Sequence, residues 1–399
     1  MLRKNRDNLV FFLITFAYWA SNSVYYLFLV LYLSSHGYSK FMCGVASTAL
    51  AVTSMLVQPV IGYLADHILS AKKLLIISFS LAVPLTFLLP FTLTIIPLAI
   101  LSIIILAAFD YSAFSTIDSW VMQLQRSKPD INYGMIRPGG SLGYAFTSLI
   151  FGSVIARFGF PSMFYVHAAL MLLLVLLCLL GKEPEKLEKN SDCQGKSKIN
   201  FTRGITQLIR FPAYVILLLC ILLFQLAQRG HATFLAIILG GIGGGSVHLG
   251  TALFISSCVE ALTTFLVTIV IRRQILPLEV LYAIGFAAGI LRTVTFGLSI
   301  PLPAMVGLEA FAGMANGFNL SVSYECIRKT APKELLATAI TLSNAAAGGF
   351  GSGIGNLIGG AIIERRGIPA FAAFSTMALI CALMLLGINY LILHHKVNA

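Results

Sequence analysis

The sequence predicts an all-α membrane protein with twelve transmembrane helices in two pseudosymmetric six-helix halves. Composition is the first support: the 399 residues are 58% hydrophobic and only 11% charged, with mean hydropathy +0.90, far from the balance of a soluble domain. The second is length. Apolar runs that reach or approach the roughly 20 residues needed to cross a bilayer recur at about 8–33, 42–64, 74–90, 96–123, 138–157, 161–181, 212–240, 249–271, 276–297, 302–325, 336–362 and 369–392. The third is an internal repeat, in which residues 140–161 return 208 positions later. It pairs Gly140 with Gly348, Gly143 with Gly351, Gly152 with Gly360, Arg157 with Arg365, Gly159 with Gly367 and Pro161 with Pro369. A repeat on that scale makes the fifth and eleventh runs equivalent elements of two parallel halves.

The first run is too long for the apolar core of a cleavable signal peptide, so it is expected to remain as the first span. Tyr18, Trp19, Asn22, Tyr25 and Tyr26 crowd it. Asn22 and the tyrosines follow helical spacing, which suits stacking on a sugar or nucleobase and equally suits helix packing. The fourth run carries Asp110 near its middle and Asp118 eight residues later. On a continuous helix these lie about 80° apart, so both are able to face one cavity. A short polar turn follows, and Arg137 opens the fifth run. An acid and a base at membrane depth are costly alone and are expected to turn toward each other or a wet cavity. Asp118 and Arg137 are therefore a candidate solute site, and equally a structural ion pair or boundary residues that snorkel to the cytoplasmic surface.

The interval 182–211 is charged and contains Ser, Gly and Asn. It is read as a cytoplasmic linker between an N-terminal half, 1–181, and a C-terminal half, 212–399. In the second half, Arg229 and His231 stand two apart on the seventh run and so on different faces. Glu260 lies near the centre of the eighth, Arg292 late in the ninth and Glu309 in the outer part of the tenth. A deep carboxyl crosses the low-dielectric barrier far more cheaply when protonated. Glu260, Asp110 and Glu309 are accordingly the candidate proton carriers, with sodium the alternative coupling ion. His231 is a candidate solute ligand or an interhelical donor, and His167 is expected to be such a donor.

With the N-terminus inside, most of the 27 Lys and Arg residues fall in inner loops. Lys40, Arg157, Arg365 and Arg366 remain outside, and Arg137, Arg229 and Arg292 lie within spans. This bias places both termini in the cytoplasm of a multi-pass protein of the cell membrane. Since the basic residues follow alternate loops, the net charge of +12 reports topology and not nucleic-acid binding. Six of the seven Cys lie in or at the ends of apolar runs without metal-ligand spacing. No nucleophile, zinc or nucleotide motif is present, so no enzyme, metal or cofactor is expected.

The loop after the second run reads GYLADHILSAKK. It resembles the loop motif of the major facilitator superfamily, matching at Gly62, Leu64, Ala65, Asp66, Lys72 and Lys73, with His67 at a basic position and the internal glycine missing. The resemblance implies that Gly62, Asp66, Lys72 and Lys73 form a gating latch on the cytoplasmic side. Residues 133–145, YGMIRPGGSLGYA, look like the segment that enters the fifth helix in the lactose permease branch, with its oligosaccharide:proton symporters, nucleoside permeases and phenylpropionate permeases. What this likeness implies is that Arg137 bonds solute hydroxyls and pairs with Asp118, that Tyr144 stacks on the solute ring, and that Glu260 and Arg292 face the same solute. Departures accompany it. The tenth run has no counterpart of that branch's His and Glu at 310–316, the seventh carries Arg229 and His231 in place of acids, and the eleventh lacks a lysine.

The expected function is secondary active transport by alternating access, carried out by a monomer. The solute is a sugar, oligosaccharide or nucleoside, bound by Asp118, Arg137, Tyr144, Arg292, Glu260, Asn22, Tyr26 and His231. Organic-acid uptake, drug export and a transporter-like solute sensor are the alternatives.

Overall fold

A computed structural model describes residues 2–128, 130–183, 206–298, 300–332 and 335–395. They are helical, with no strand among them. In chain order the helices are α1 (Leu2–Ser35), α2 (Lys40–His67), α3 (Ala71–Leu85), α4 (Leu88–Thr92), α5 (Ile96–Phe109), α6 (Phe114–Ser127), α7 (Tyr133–Ile136), α8 (Pro138–Phe158) and α9 (Pro161–Leu180). Then come α10 (Pro212–Gly240), α11 (Ser246–Arg272), α12 (Leu278–Phe296), α13 (Leu302–Thr330), α14 (Leu336–Ala345), α15 (Ser352–Arg366) and α16 (Ile368–His395).

Each of the twelve apolar runs is helical, and among the described residues 10 helical stretches are long and apolar enough to cross a membrane. The other two runs depart for local reasons. In the third, Pro84 ends α3 and the chain restarts as the short α4. The tenth, α13, is 29 residues long but carries Glu309, Asn316 and Asn319 among its apolar residues. Prolines at the first or second position open α5, α8, α9, α10 and α13, where the missing N–H has no helical partner to lose.

Two helices that sequence spacing treats as continuous are interrupted. Between α5 and α6 lies one 3₁₀ turn, Tyr111–Ala113, so Asp110 and Asp118 are not on one regular helix and the 80° relation does not apply. Between α14 and α15 lies a π turn, Ala346–Gly351. Such irregular turns inside a span free backbone groups that other side chains must satisfy.

The described residues cluster into two compact units. The first comprises 1–38, 49–195 and 245–254, and the second 39–48, 196–244 and 255–399. The expected linker falls largely on 184–205, outside the described residues.

The internal repeat is visible as geometry. α8 and α15 end on Gly159 and Gly367, at φ +75° and +83° with ψ 177° and 176°, an extended positive-φ conformation that a β-carbon would strain. In the first unit, a methyl on Gly152 would lie 2.4 Å from the Ser246 carbonyl, and the Ser246 hydroxyl donates to the Gly152 carbonyl at 2.7 Å. In the second unit, one on Gly360 would lie 2.7 Å from the Lys40 carbonyl. There the Glu364 carboxylate accepts the Phe41 N–H at 2.7 Å. Both helices approach a neighbour backbone to backbone at the same register position, as small residues in bilayers permit.

Candidate functional site

In the first unit, the Asp118–Arg137 hairpin forms a cluster. Arg137 is the hinge residue between α7 and α8, followed by Pro138. Asn132 caps α7 by accepting the Gly134 N–H. Asn8 on α1 grips the turn before it, donating to the Asp130 carbonyl and accepting the Asn132 N–H, both at 3.0 Å. The Tyr133 hydroxyl hydrogen-bonds both Asp118 and Arg137, so it links acid to base. Arg137 lies over the Trp19 ring, 5.9 Å from its centroid, and Tyr144 meets the same indole edge-on at 6.3 Å. Gly140 makes the close approach possible, since a methyl there would stand 2.6 Å from the indole. A guanidinium fork, a carboxylate and aromatic faces thus converge on one place, the chemistry that hydroxyl-bearing rings require.

A second cluster of the same unit surrounds Asp110, which is fully buried. Its carboxylate accepts a hydrogen bond from the Tyr26 hydroxyl. His167 on α9, also fully buried, brings Nε2 to 3.1 Å from the other carboxylate oxygen, but without the alignment of a hydrogen bond. Thr86 Oγ1 lies 2.9 Å from His167 Nδ1. Tyr18 serves the helix break, donating to the carbonyls of Asp110 and Tyr111 at 3.2 and 3.0 Å. Asn22 is buried and donates to the Tyr18 carbonyl at 3.1 Å, so its amide is turned to its own helix.

The second unit buries a different charge pair. Arg292 on α12 grips Glu309 on α13 through two bonds and gives a third to Gln228 on α10, at 2.8 Å. Glu309 is therefore an interior partner of Arg292. Arg292 also covers Phe296 at 5.4 Å, and His231 is sandwiched between Phe296 and Phe371, at 5.0 and 4.5 Å. Arg229 is exposed and His231 fully buried, as their spacing predicts. Glu260 is half-buried on α11, and Gly313 and Gly317 of α13 lie against its backbone.

A polar cavity of about 80 Å³ in this unit has no counterpart in the sequence analysis. Gln225, Asn319, Ser323, Tyr324, Ser343 and Asn344 line it. The available signal was the recurrence of amides and hydroxyls inside apolar runs, beside the π turn.

Of the loop residues, Lys72 donates to the carbonyls of Leu179 and Gly181, at 3.0 and 2.8 Å, and so caps α9. The side chain of Asp66 lies outside the described residues. Among the described residues no group of His, Cys, Asp and Glu could hold a metal ion.

The model of the MFS_1 like family matches residues 46–374. The chain belongs to that family. This member is an integral, multi-pass membrane transporter of the major facilitator type, not an enzyme. It is 26% identical over 257 residues to a maltose permease of Geobacillus stearothermophilus, a match that covers 64% of this chain and 62% of the permease. It is 22% identical over 316 residues to the uncharacterized transporter YwbF of Bacillus subtilis, covering 78% of this chain and 75% of that one. In fold it is similar to the nucleoside transporter NupG, at 18% identity and TM-score 0.78, over 96% of this chain and 98% of that one. A POT family transporter in complex with 5-aminolevulinic acid has TM-score 0.73 at 14% identity, covering 96% of each chain.

Proposed function

We propose that this transporter is a proton-coupled symporter of a small polar solute, a sugar, oligosaccharide or nucleoside, working by alternating access in the cell membrane with both termini cytoplasmic. The observation that carries the reading is Arg137, stacked over Trp19 and tied through Tyr133 to Asp118. A planar fork of donors pairs with vicinal hydroxyls as well as with carboxylates. Indole and phenol rings offer apolar faces to a sugar or base. The names of two similar proteins, a maltose permease and a nucleoside transporter, agree with that solute class. Solute bound more tightly by the occluded form than by the open ones would shift the populations of the cycle.

Among the candidate carriers, Glu309 has both oxygens engaged by Arg292, which leaves Glu260 and Asp110 for the proton. An organic acid is the second reading, favoured by the exposed guanidinium of Arg229 midway along α10.

Counterflow of radiolabelled maltose and uridine in proteoliposomes tests the proposal. Exchange by the wild type that is abolished by Arg137→Ala is the expected result, and exchange that survives the substitution contradicts it.

A further inference from the structure

We propose that Asp110 and His167 together form the site where the coupling proton is taken up and released, with His167 sharing that proton across the 3.1 Å gap between its Nε2 and the Asp110 carboxylate. This deepens the symport reading above and rests on it.

The protonation pattern follows from the hydrogen bonds. The Thr86 hydroxyl donates its own hydrogen to the Ala82 carbonyl at 2.8 Å. With the hydroxyl hydrogen placed there, its oxygen accepts from His167 Nδ1, 2.9 Å away, when that nitrogen carries the hydrogen. In that tautomer of the neutral imidazole, Nε2 is an acceptor set beside a carboxylate oxygen. Two acceptors 3.1 Å apart in a site of zero exposure repel, and a proton taken up by either one removes that repulsion. The pair has a neutral total charge with that proton and a negative one without it, whichever partner holds it.

The groups that surround the carboxylate are known. α1 supplies Tyr18, Tyr25 and Tyr26, Tyr111 follows in the chain, α3 supplies Thr86 to the imidazole and α9 supplies His167. Among the described residues no lysine or arginine pairs with Asp110. The charge of the site thus depends on the proton alone.

The site also has a mechanical outlet. Asp110 sits at the break between α5 and α6. The Tyr18 hydroxyl holds both carbonyls of that break, and the next residue, Trp19, lies against Arg137. α1 therefore links the state of the pair to the solute cluster within the same unit.

The test uses the whole transporter reconstituted in lipid, in two arms. Infrared difference spectra between acid and alkaline buffer read carboxyl protonation directly. A protonated-carboxyl band should vanish in Asp110→Asn and should shift in frequency in His167→Gln, where the neighbour of the carboxyl has changed. His167→Gln retains a hydrogen-bonding side chain and serves where Asp110→Asn does not fold. The second arm follows uridine and maltose in the same vesicles. Asp110→Asn should retain counterflow while the accumulation ratio under an imposed proton gradient falls to about 1. A band unaltered in both variants, or uphill accumulation surviving in both, overturns the assignment. If the wild type moves neither solute, the solute reading fails, and the infrared arm alone still decides the proton site.

Discussion

Arg292 and Glu309 form a bidentate pair inside the second unit, with Nε 3.0 Å from Oε1 and Nη2 2.9 Å from Oε2. Both are almost wholly buried, so the pair ties α12 to α13 in a low-dielectric interior. Removing one partner strands the other's charge, which costs about 3–5 kcal/mol, whereas replacing both with apolar residues is often neutral. Arg292→Met and Glu309→Leu should each lower the melting temperature markedly, and the double variant should recover most of the loss. Thermal unfolding in detergent checks this, and equal or additive losses in the double variant would contradict a charge pair.

The Tyr18 hydroxyl donates to the Asp110 and Tyr111 carbonyls at the α5–α6 break, and the Asp110 carbonyl also accepts the Ala113 N–H at 3.0 Å. Tyr18→Phe should cost about 0.5–1.5 kcal/mol through the lost buried hydrogen bond. Tyr165→Phe, at a position 67% exposed, should be near neutral. Chemical unfolding of the two variants side by side gives the comparison.

Glycine positions should separate by what surrounds them. A methyl on Gly152 would meet the Ser246 carbonyl at 2.4 Å, while one on Gly307 has nothing within 4 Å. Gly152→Ala should therefore destabilise by about 1–3 kcal/mol and Gly307→Ala should not, again by unfolding measurements.

Arg137→Lys preserves charge but replaces a planar fork with a point donor and loses the guanidinium's stacking on Trp19. Solute affinity should fall by about tenfold or more, roughly 1.4 kcal/mol, in a ligand titration monitored by calorimetry. Equal affinity would mean that only the charge matters.

The fold was legible because spans, loops and repeat leave period and composition signals. Gly159 and Gly367 both end their helices at positive φ, at positions that the repeat aligns. The Asp118–Arg137 hairpin was legible because both residues flank a single turn. Asp110 with His167 and Arg292 with Glu309 were not readable as pairs, since their partners lie on different helices and nothing local encodes which faces meet. The break at Tyr111–Ala113 was hidden for another reason. Residues 109–113 contain neither Gly nor Pro, and the turn persists through Tyr18, which is far away in sequence. The polar cavity beside α13 depends likewise on three helices and the π turn.

The measurement closest to the central claim is a thermal-shift screen of the purified transporter against sugars, nucleosides and aromatic acids, repeated with Arg137→Ala. Ligand that binds the folded form raises its melting temperature by mass action. The account predicts stabilisation by a sugar or nucleoside that disappears in Arg137→Ala. Stabilisation that persists undiminished in the variant would contradict it, because the solute would then be bound away from the Asp118–Arg137 hairpin.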